Sequence, residues 1–290
     1  MNFWKVNMGI RKFKPTTSTR RKTRLEDRSS LNKDSGPRKL TVAKKQKSGR
    51  NNQGKVTVRH RGGGFKRRVR IVDFKRDKLD IPAKVLGFYF DPNRTAHLAL
   101  LQYEDGEKRY IIAPRGIKVG DKVVSSEKTD VLPGNAMKIK NIPSGTYVHC
   151  VEGYPGKGAI YGRSAGESIS VQGPDTSGKY MQIKLPSGEI RLVYADCMAT
   201  VGQVGNEEKM NVKLGKAGRK RNLGWRPEVR GMAMHAAEHP HGGGEGKGQV
   251  GGQAKDIWGN RIGTRTRRNK RTDKFIVRRR RTKRRPHAKK

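Results

Sequence analysis

Two constellations in this 290-residue chain have the residue types and spacing to do chemistry. The first is His235-Ala236-Ala237-Glu238-His239. Two imidazoles one helical turn apart can hold zinc, and a neighbouring glutamate can serve as general base toward a metal-bound water. That chemistry needs a helix. Pro240 follows His239 directly and disfavours helical backbone there, while Gly242, Gly243 and Gly244 prevent a helix from continuing. A third ligand would have to come from a distant segment, so the metal reading is set aside.

The second constellation is Arg59-His60-Arg61-Gly62-Gly63-Gly64-Phe65-Lys66-Arg67-Arg68, with Arg70 just beyond. Three glycines let the backbone approach a phosphate closely, and the flanking cations supply charge. A nucleotide P-loop is excluded, because no Gly-Lys-Ser/Thr follows at the required spacing. A backbone clamp on RNA or DNA is the functional reading, and a flexible surface turn the plain one. The theme recurs weakly in Pro155-Gly156-Lys157-Gly158 with Arg163 nearby, and again around Arg219, Lys220 and Arg221.

The elements that must position these groups fall between two charged arms. Residues 1–60 carry 18 Lys+Arg against 3 Asp+Glu, and residues 261–290 carry 16 against 1. Residues 91–200 hold 14 against 12, so most of the formal +42 lies outside a nearly neutral body. Such blocks repel themselves in water and stay extended until a polyanion neutralises them. Nucleic acid fits, because each cation docked on a phosphate releases a condensed counterion. The tail is therefore expected to be disordered until it meets such a polyanion, its one apolar run at 275–277 being too small to form a core.

Between the arms the chain reads as short runs rich in β-branched and aromatic residues. A first set covers 69–74, 83–90, 97–103 and 108–113, with Asp105-Gly106 as a hairpin signal between its last two members. A second set covers 122–125, 137–142, 147–152, 168–172, 180–185 and 189–194, with Pro186-Ser187-Gly188 as its last turn. Almost no helical periodicity accompanies them, so the expectation is an all-β fold. Charge together with Pro133-Gly134 breaks the pattern over 125–134, which favours two small barrels joined near residue 125 over a single sandwich. Residues 205–260 are Gly-rich, carry Trp225 and Trp258, and show no clean element beyond a turn near 207–214.

Cys150 and Cys197 are too few and too far apart for a zinc site built of repeated close pairs, and read as core thiols of a reducing compartment, with a single disulfide as the weaker reading. No apolar run approaches the roughly 18 residues of a membrane span. The Arg- and Ser/Thr-rich start superficially suggests an organellar transit peptide, but it lacks an apolar helical face and Pro15 interrupts it.

Extended to Arg230-Gly231-Met232-Ala233-Met234 and to His239-Pro240-His241-Gly242-Gly243-Gly244-Glu245-Gly246-Lys247, the histidine segment closely resembles the signature of the bacterial-type large-subunit ribosomal protein family L-two. The likeness continues in order. It includes Asn51-Asn52, the Arg59 to Gly64 segment, Arg70-Ile71-Val72-Asp73-Phe74, Asp91-Pro92-Asn93-Arg94 and Gly106-Glu107-Lys108-Arg109-Tyr110. Pro155-Gly156-Lys157-Gly158, Arg163-Ser164-Ala165-Gly166 and Asn269-Lys270-Arg271-Thr272-Asp273-Lys274-Phe275-Ile276-Val277-Arg278-Arg279-Arg280 complete it, so about residues 12–282 are covered. The chain departs at His235-Ala236, where the family usually has Asn-Pro, and at Asp256-Ile257, where Thr-Pro is common. Residues 281–290 run beyond the usual end.

The resemblance implies a basic extension over 1–63, an oligonucleotide-binding barrel over 64–124, a Src-homology-3-like barrel over 125–203, and a Gly-rich segment with a basic tail over 204–290. It implies a structural constituent of the large ribosomal subunit, without catalytic residues or a protein-held metal or cofactor, magnesium being expected only with the RNA. The implied partners are large-subunit ribosomal RNA, small-subunit ribosomal RNA at the subunit interface, and neighbouring ribosomal proteins, with no membrane. The location is the cytoplasm, or an organellar matrix or stroma, and the role includes subunit association and organisation near the peptidyl-transferase centre. His239 would be the histidine linked to that centre. With it, the expected RNA contacts are His60 and His241, Gly62 to Gly64, Arg59, Arg61, Lys66, Arg67, Arg68, Arg70, Lys157 and Arg163. They continue with Arg219, Lys220, Arg221, Arg230, Lys247, Arg267, Arg268, Lys270, Arg271, Lys274, Arg278, Arg279 and Arg280. A zinc hydrolase and a DNA-compacting protein are the alternatives from other classes. The first fails on its context, and the second explains charge but not two neutral barrels.

Overall fold

The computed structural model describes residues 9–244, 252–264, 267 and 269–280, in two compact units. The first takes 9–44, 66–215 and 272–280 of these, and the second takes 45–65 and 216–271.

In the first unit the strands run in chain order as β1 (Ile10–Lys12), β2 (Arg24–Glu26), β3 (Thr41–Ala43), β4 (Arg68–Arg70), β5 (Ala83–Tyr89), β6 (Leu98–Tyr103), β7 (Lys108–Ile112) and β8 (Lys122–Val123). They continue as β9 (Ala136–Lys138), β10 (Tyr147–His149), β11 (Val151–Glu152), β12 (Ala159–Tyr161), β13 (Ile169–Pro174), β14 (Tyr180–Lys184), β15 (Ile190–Tyr194), β16 (Met198–Val201) and β17 (Ile276–Arg278). Among the described residues one antiparallel sheet has the order β7-β6-β5-β8, and a larger one the order β17-β15-β14-β13-β10-β16-β9. The fold is all-β, and both sheets curl as half-barrels. No helix among the described residues is long and apolar enough to cross a membrane.

The first sheet buries both faces. Val85, Leu101, Ile111 and Val123 pack on one side, and Leu98, Leu100, Tyr110 and Ile112 on the other. This is why β6 opens as an unbroken apolar run from Leu98 to Leu101 rather than an alternating one. A bulge between Val85 and Gly87 bends β5 and helps the sheet curl. Met137, Ile139, Val148, Ile169, Ile183 and Val193 form the core of the second sheet. Arg76 is buried near the start of the first sheet. It donates from Nε to the Ser125 hydroxyl at 2.8 Å and from a terminal nitrogen to the Gly134 carbonyl at 3.2 Å.

The expected hairpins form. Tyr103 donates its N–H to the Glu107 carbonyl across Asp105-Gly106, and Gly188 donates to Leu185 across the second turn. Other expectations change. The run 122–125, placed at the head of the second set, is cut to β8 and pairs with β5 of the first sheet. The run 69–74 shrinks to the end of β4 plus an isolated bridge between Val72 and Tyr110. The run 147–152 splits in two at Cys150, whose φ is 49°. β1, β2, β3, β12, β16 and β17 were not expected at all.

The arms are also more ordered than their charge suggests. Glu26, at the end of β2, is buried and accepts from Lys209 Nζ at 2.6 Å and Asn206 Nδ2 at 2.6 Å, with His97 Nε2 at 3.3 Å. Leu31 is buried, and the Asn32 N–H bonds to the Phe88 carbonyl. At the other end, the expectation of a tail without structure is corrected over 275–278. β17 adds to the edge of β15, and Phe275 sits among Tyr154, Tyr180 and Tyr194 with ring centroids 5.9–6.5 Å away. A three-residue strand is held because the second sheet offers an open edge and an aromatic seat. Residues 281–290 lie outside the described ones.

Candidate nucleic-acid interface

The second unit is built on two glycine-containing segments laid side by side. Helix α1, counted within this unit as Ala217–Asn222, carries Arg219, Lys220 and Arg221 in its last turn, where cations complement the negative end of the helix dipole. Gly224, at φ 92°, stops it, with its N–H on the Arg221 carbonyl. The 61–65 segment then runs along 222–226. Gly62 donates to the Gly224 carbonyl at 2.9 Å, Phe65 donates to Asn222 at 3.0 Å, and Arg226 donates to His60 at 3.1 Å. Gly64 is required by this approach, since a Cβ there would lie 2.8 Å from the Gly224 backbone. Gly63 sits at φ 66°, a left-handed conformation that favours glycine.

The side chains of this ladder divide between protein and solvent. Arg61 stacks its guanidinium 3.3 Å from the Trp225 ring centroid, a cation–π contact that rigidifies the segment. His60 places Nδ1 2.9 Å from the Pro227 carbonyl, so that nitrogen carries the proton and donates, and Nε2 is shielded from solvent. Both residues pin the backbone. Arg59, Lys66, Lys220, Arg226 and Arg230 remain exposed.

A cleft of about 630 Å³ opens in this unit, walled by Arg59, Lys220, Arg226 and Arg230, with Trp225, Trp258 and His239 also lining it. Its lining is strongly cationic, with Glu228 and Asp256 the acidic members. The His239 and His241 rings meet edge to face with centroids 5.2 Å apart. The His241 N–H donates to His239 Nδ1 at 3.0 Å, and the Lys255 N–H donates to His241 Nε2 at 2.9 Å. The His235 to His239 stretch is a succession of turns, so its two imidazoles do not share a helix face. Among the described residues no group of three His, Cys, Asp or Glu side chains is arranged to hold a metal. A second recess of about 550 Å³ lies beside Arg50, Arg59, Gly62 and Gly63.

The remaining expected contacts lie in the first unit or in the terminal segment. Arg68 is committed to the Thr41 hydroxyl and carbonyl, and Arg67 donates to the Pro92 carbonyl. Arg70 is half-buried, between the Ser35 carbonyl and Asp91. Lys157 is exposed on a loop held from below by the buried Glu152, which accepts from the N–H groups of Gly156, Gly158 and Met198 at 2.8–3.2 Å. Arg163 and Arg94 both approach the Phe74 ring, at 5.2 and 5.7 Å. Arg267, Lys270, Arg271, Lys274, Arg278, Arg279 and Arg280 are exposed, with Arg279 paired to Asp273 at 3.1 Å. Lys247 and Arg268 lie outside the described residues.

Sequence reasoning missed Trp225, Trp258, Arg226 and Lys255 as cleft residues, and Glu152 as a loop organiser. For the tryptophans a signal was available: each stands in a Gly-rich basic stretch with no apolar run to bury it. Glu152 carried none, because nothing local marks a carboxylate that will collect backbone N–H groups from another strand.

Two family models match the chain. "Ribosomal Proteins L2, RNA binding N-terminal domain" covers residues 37–125, and "Ribosomal Proteins L2, C-terminal domain" covers residues 132–259. The first spans the four-stranded sheet and the Arg59 to Arg70 segment. The second spans most of the larger sheet and both cleft tryptophans.

Proposed function

Since the chain belongs to the ribosomal protein L2 family, RNA-binding constituents of the large ribosomal subunit, we propose that it docks on large-subunit ribosomal RNA through the cleft of its second unit. The exposed cations of the 59–68 segment and of the Lys157 and Arg163 loops would add phosphate contacts. The observation that carries this reading is the cleft itself, with cations and two indoles on its walls; Gly62 and Gly63, whose backbones a phosphate can approach, line the second recess. Polyanion binding with aromatic contacts to bases follows from that lining. The same site would support subunit association, contact with small-subunit RNA, and organisation near the peptidyl-transferase centre. The role is architectural, magnesium enters only with the RNA, and the particle is of bacterial type, in a cytoplasm or an organelle.

His239 separates this role from a catalytic one. Its Nδ1 already accepts a backbone N–H, and its ring is set by contact with the His241 segment. In assembled particles carrying His239→Gln, single-turnover peptide transfer is expected to change modestly with its pH profile retained. A general base would cost roughly 10²–10⁴ in the chemical step. A thousandfold drop in particles of normal composition would replace the architectural reading with a catalytic one. Sequencing of RNA crosslinked to the protein in intact cells tests the partner.

A further inference from the structure

The two tryptophans of the cleft are not equivalent. One face of Trp225 is occupied by Arg61. Trp258 is 78% exposed, an unusual state for an indole, and it is not on a floppy loop. Asp256 accepts the Trp258 N–H at 2.9 Å and the Asn260 N–H at 2.8 Å through one oxygen, and the Asn260 amide at 3.1 Å through the other. The Asp256 N–H returns to the Asn260 carbonyl, and Lys255 bridges Arg261 across the turn. The indole is therefore held out on a braced tip, so little order has to be imposed when something stacks on it.

His239 adds a polar group of defined sense. Because Nδ1 accepts the His241 N–H, the neutral ring carries its proton on Nε2 and offers a donor there. The ring is fixed in place against Gly231, where any Cβ would lie 2.4–2.6 Å from its atoms. The volume of the cleft, about 630 Å³, falls in the range of roughly 300–1,000 Å³ usual for small-ligand pockets. Arg59, Lys220 and Arg230 at its edge supply cations for the phosphates on either side of a single residue. A flat platform, a donor and a cationic rim match one unpaired nucleotide. A base stacked inside a duplex cannot reach such a platform.

We propose that this cleft takes an unstacked nucleobase of single-stranded RNA, lying on the Trp258 indole with its edge hydrogen-bonded by His239 Nε2–H. The proposal rests on the RNA-binding reading above and names the form of RNA that the cleft selects.

The test uses the full chain with two probes, a 12-nucleotide single-stranded RNA and an RNA duplex with the same number of phosphates. Trp258→Ala should weaken single-strand binding about 5- to 150-fold, the range of roughly 1–3 kcal/mol for one base stacked on an aromatic ring. The salt slope should stay unchanged, because no phosphate contact is lost, and duplex affinity should not move. Trp258→Phe should retain most of the affinity, which separates stacking from misfolding. His239→Gln keeps a donor and should bind almost normally, whereas His239→Leu should lose about 2- to 12-fold, one net hydrogen bond. Unchanged single-strand affinity in Trp258→Ala, or an equal loss on the duplex, overturns this proposal while leaving RNA binding intact. If the unaltered chain binds neither probe, the RNA-binding reading fails as well.

Discussion

His149 shows how a single side chain in the barrel region reports on solvent. It is fully buried, Nδ1 lies 3.1 Å from the Gly202 carbonyl, and Arg76 is close by. Burial pushes its pKa down to about 4; the Gly202 hydrogen bond opposes that shift and Arg76 adds to it. The unfolded chain takes up the proton near the ordinary value of about 6.5, whereas the native state resists until about 4. Stability from this site is therefore complete above about pH 6.5 and is lost as pH falls through that window, by about 3 kcal/mol in all. Urea unfolding at pH 7 and pH 4.5, in the wild type and in His149→Gln, should show a steeper acid loss in the wild type. Parallel losses would mean that His149 is already protonated in the fold. The two thiols behave consistently with their burial: both cysteines are free, and burial pushes each up to about 12. Neither is a nucleophile at neutral pH.

At the scale of elements, the paired glycine segments decide whether the cleft exists. In Gly64→Val the new side chain would meet the Gly224 backbone 2.8 Å from its Cβ, and backbone cannot swing aside as a flexible side chain can. The 61–65 and 222–226 segments should separate. RNA affinity is expected to drop at least tenfold, while the barrels of the first unit keep their thermal transition. Normal affinity would show that the ladder is dispensable. The exposed cations make a separate contribution. Arg59→Ala with Lys220→Ala should flatten the plot of log affinity against log salt by about 1.4–1.8, two phosphate contacts at 0.7–0.9 each. Arg67 and Arg68, equally suggestive by sequence, are poorer targets because both guanidinium groups bond within the protein. An unchanged slope in the double variant would place Arg59 and Lys220 away from the phosphates.

For the whole molecule, the surplus of +42 has to coexist with a folded core, and the chain does this by separating the two. Nearly neutral sheets carry the hydrophobic burial, and short strands and buried polar pins anchor the charged termini. Phe275 and β17 are such an anchor, holding the start of the final basic run against the second sheet. Phe275→Ala should release β17, because a three-residue strand cannot survive on its ladder bonds alone. Hydrogen exchange at 276–278 should accelerate at least tenfold in the free protein, with the amides of β13 and β14 unaffected. Slow exchange in the variant would locate the anchoring elsewhere.

Much of this was determined by sequence alone. The charge blocks specified a polyanionic partner, the Asp105-Gly106 and Pro186-Ser187-Gly188 turns set hairpins, and short β-branched runs set an all-β fold. Each is a local property, legible because it depends on neighbours along the chain. Tertiary structure decided what depends on neighbours in space. Residues 122–123 became the edge strand of the first sheet rather than opening the second, because Ala83 and Lys84 offered the free ladder. Val204, from the segment after the second sheet, packed into the first core. Glu152 became the floor of a loop by collecting N–H groups from residues as far away as Met198. Trp225 and Trp258 read as isolated aromatics and became walls of one cleft, since two glycine segments could approach closely enough to form it. Composition determines which charges and turns a chain possesses; only packing determines which of them face the same space.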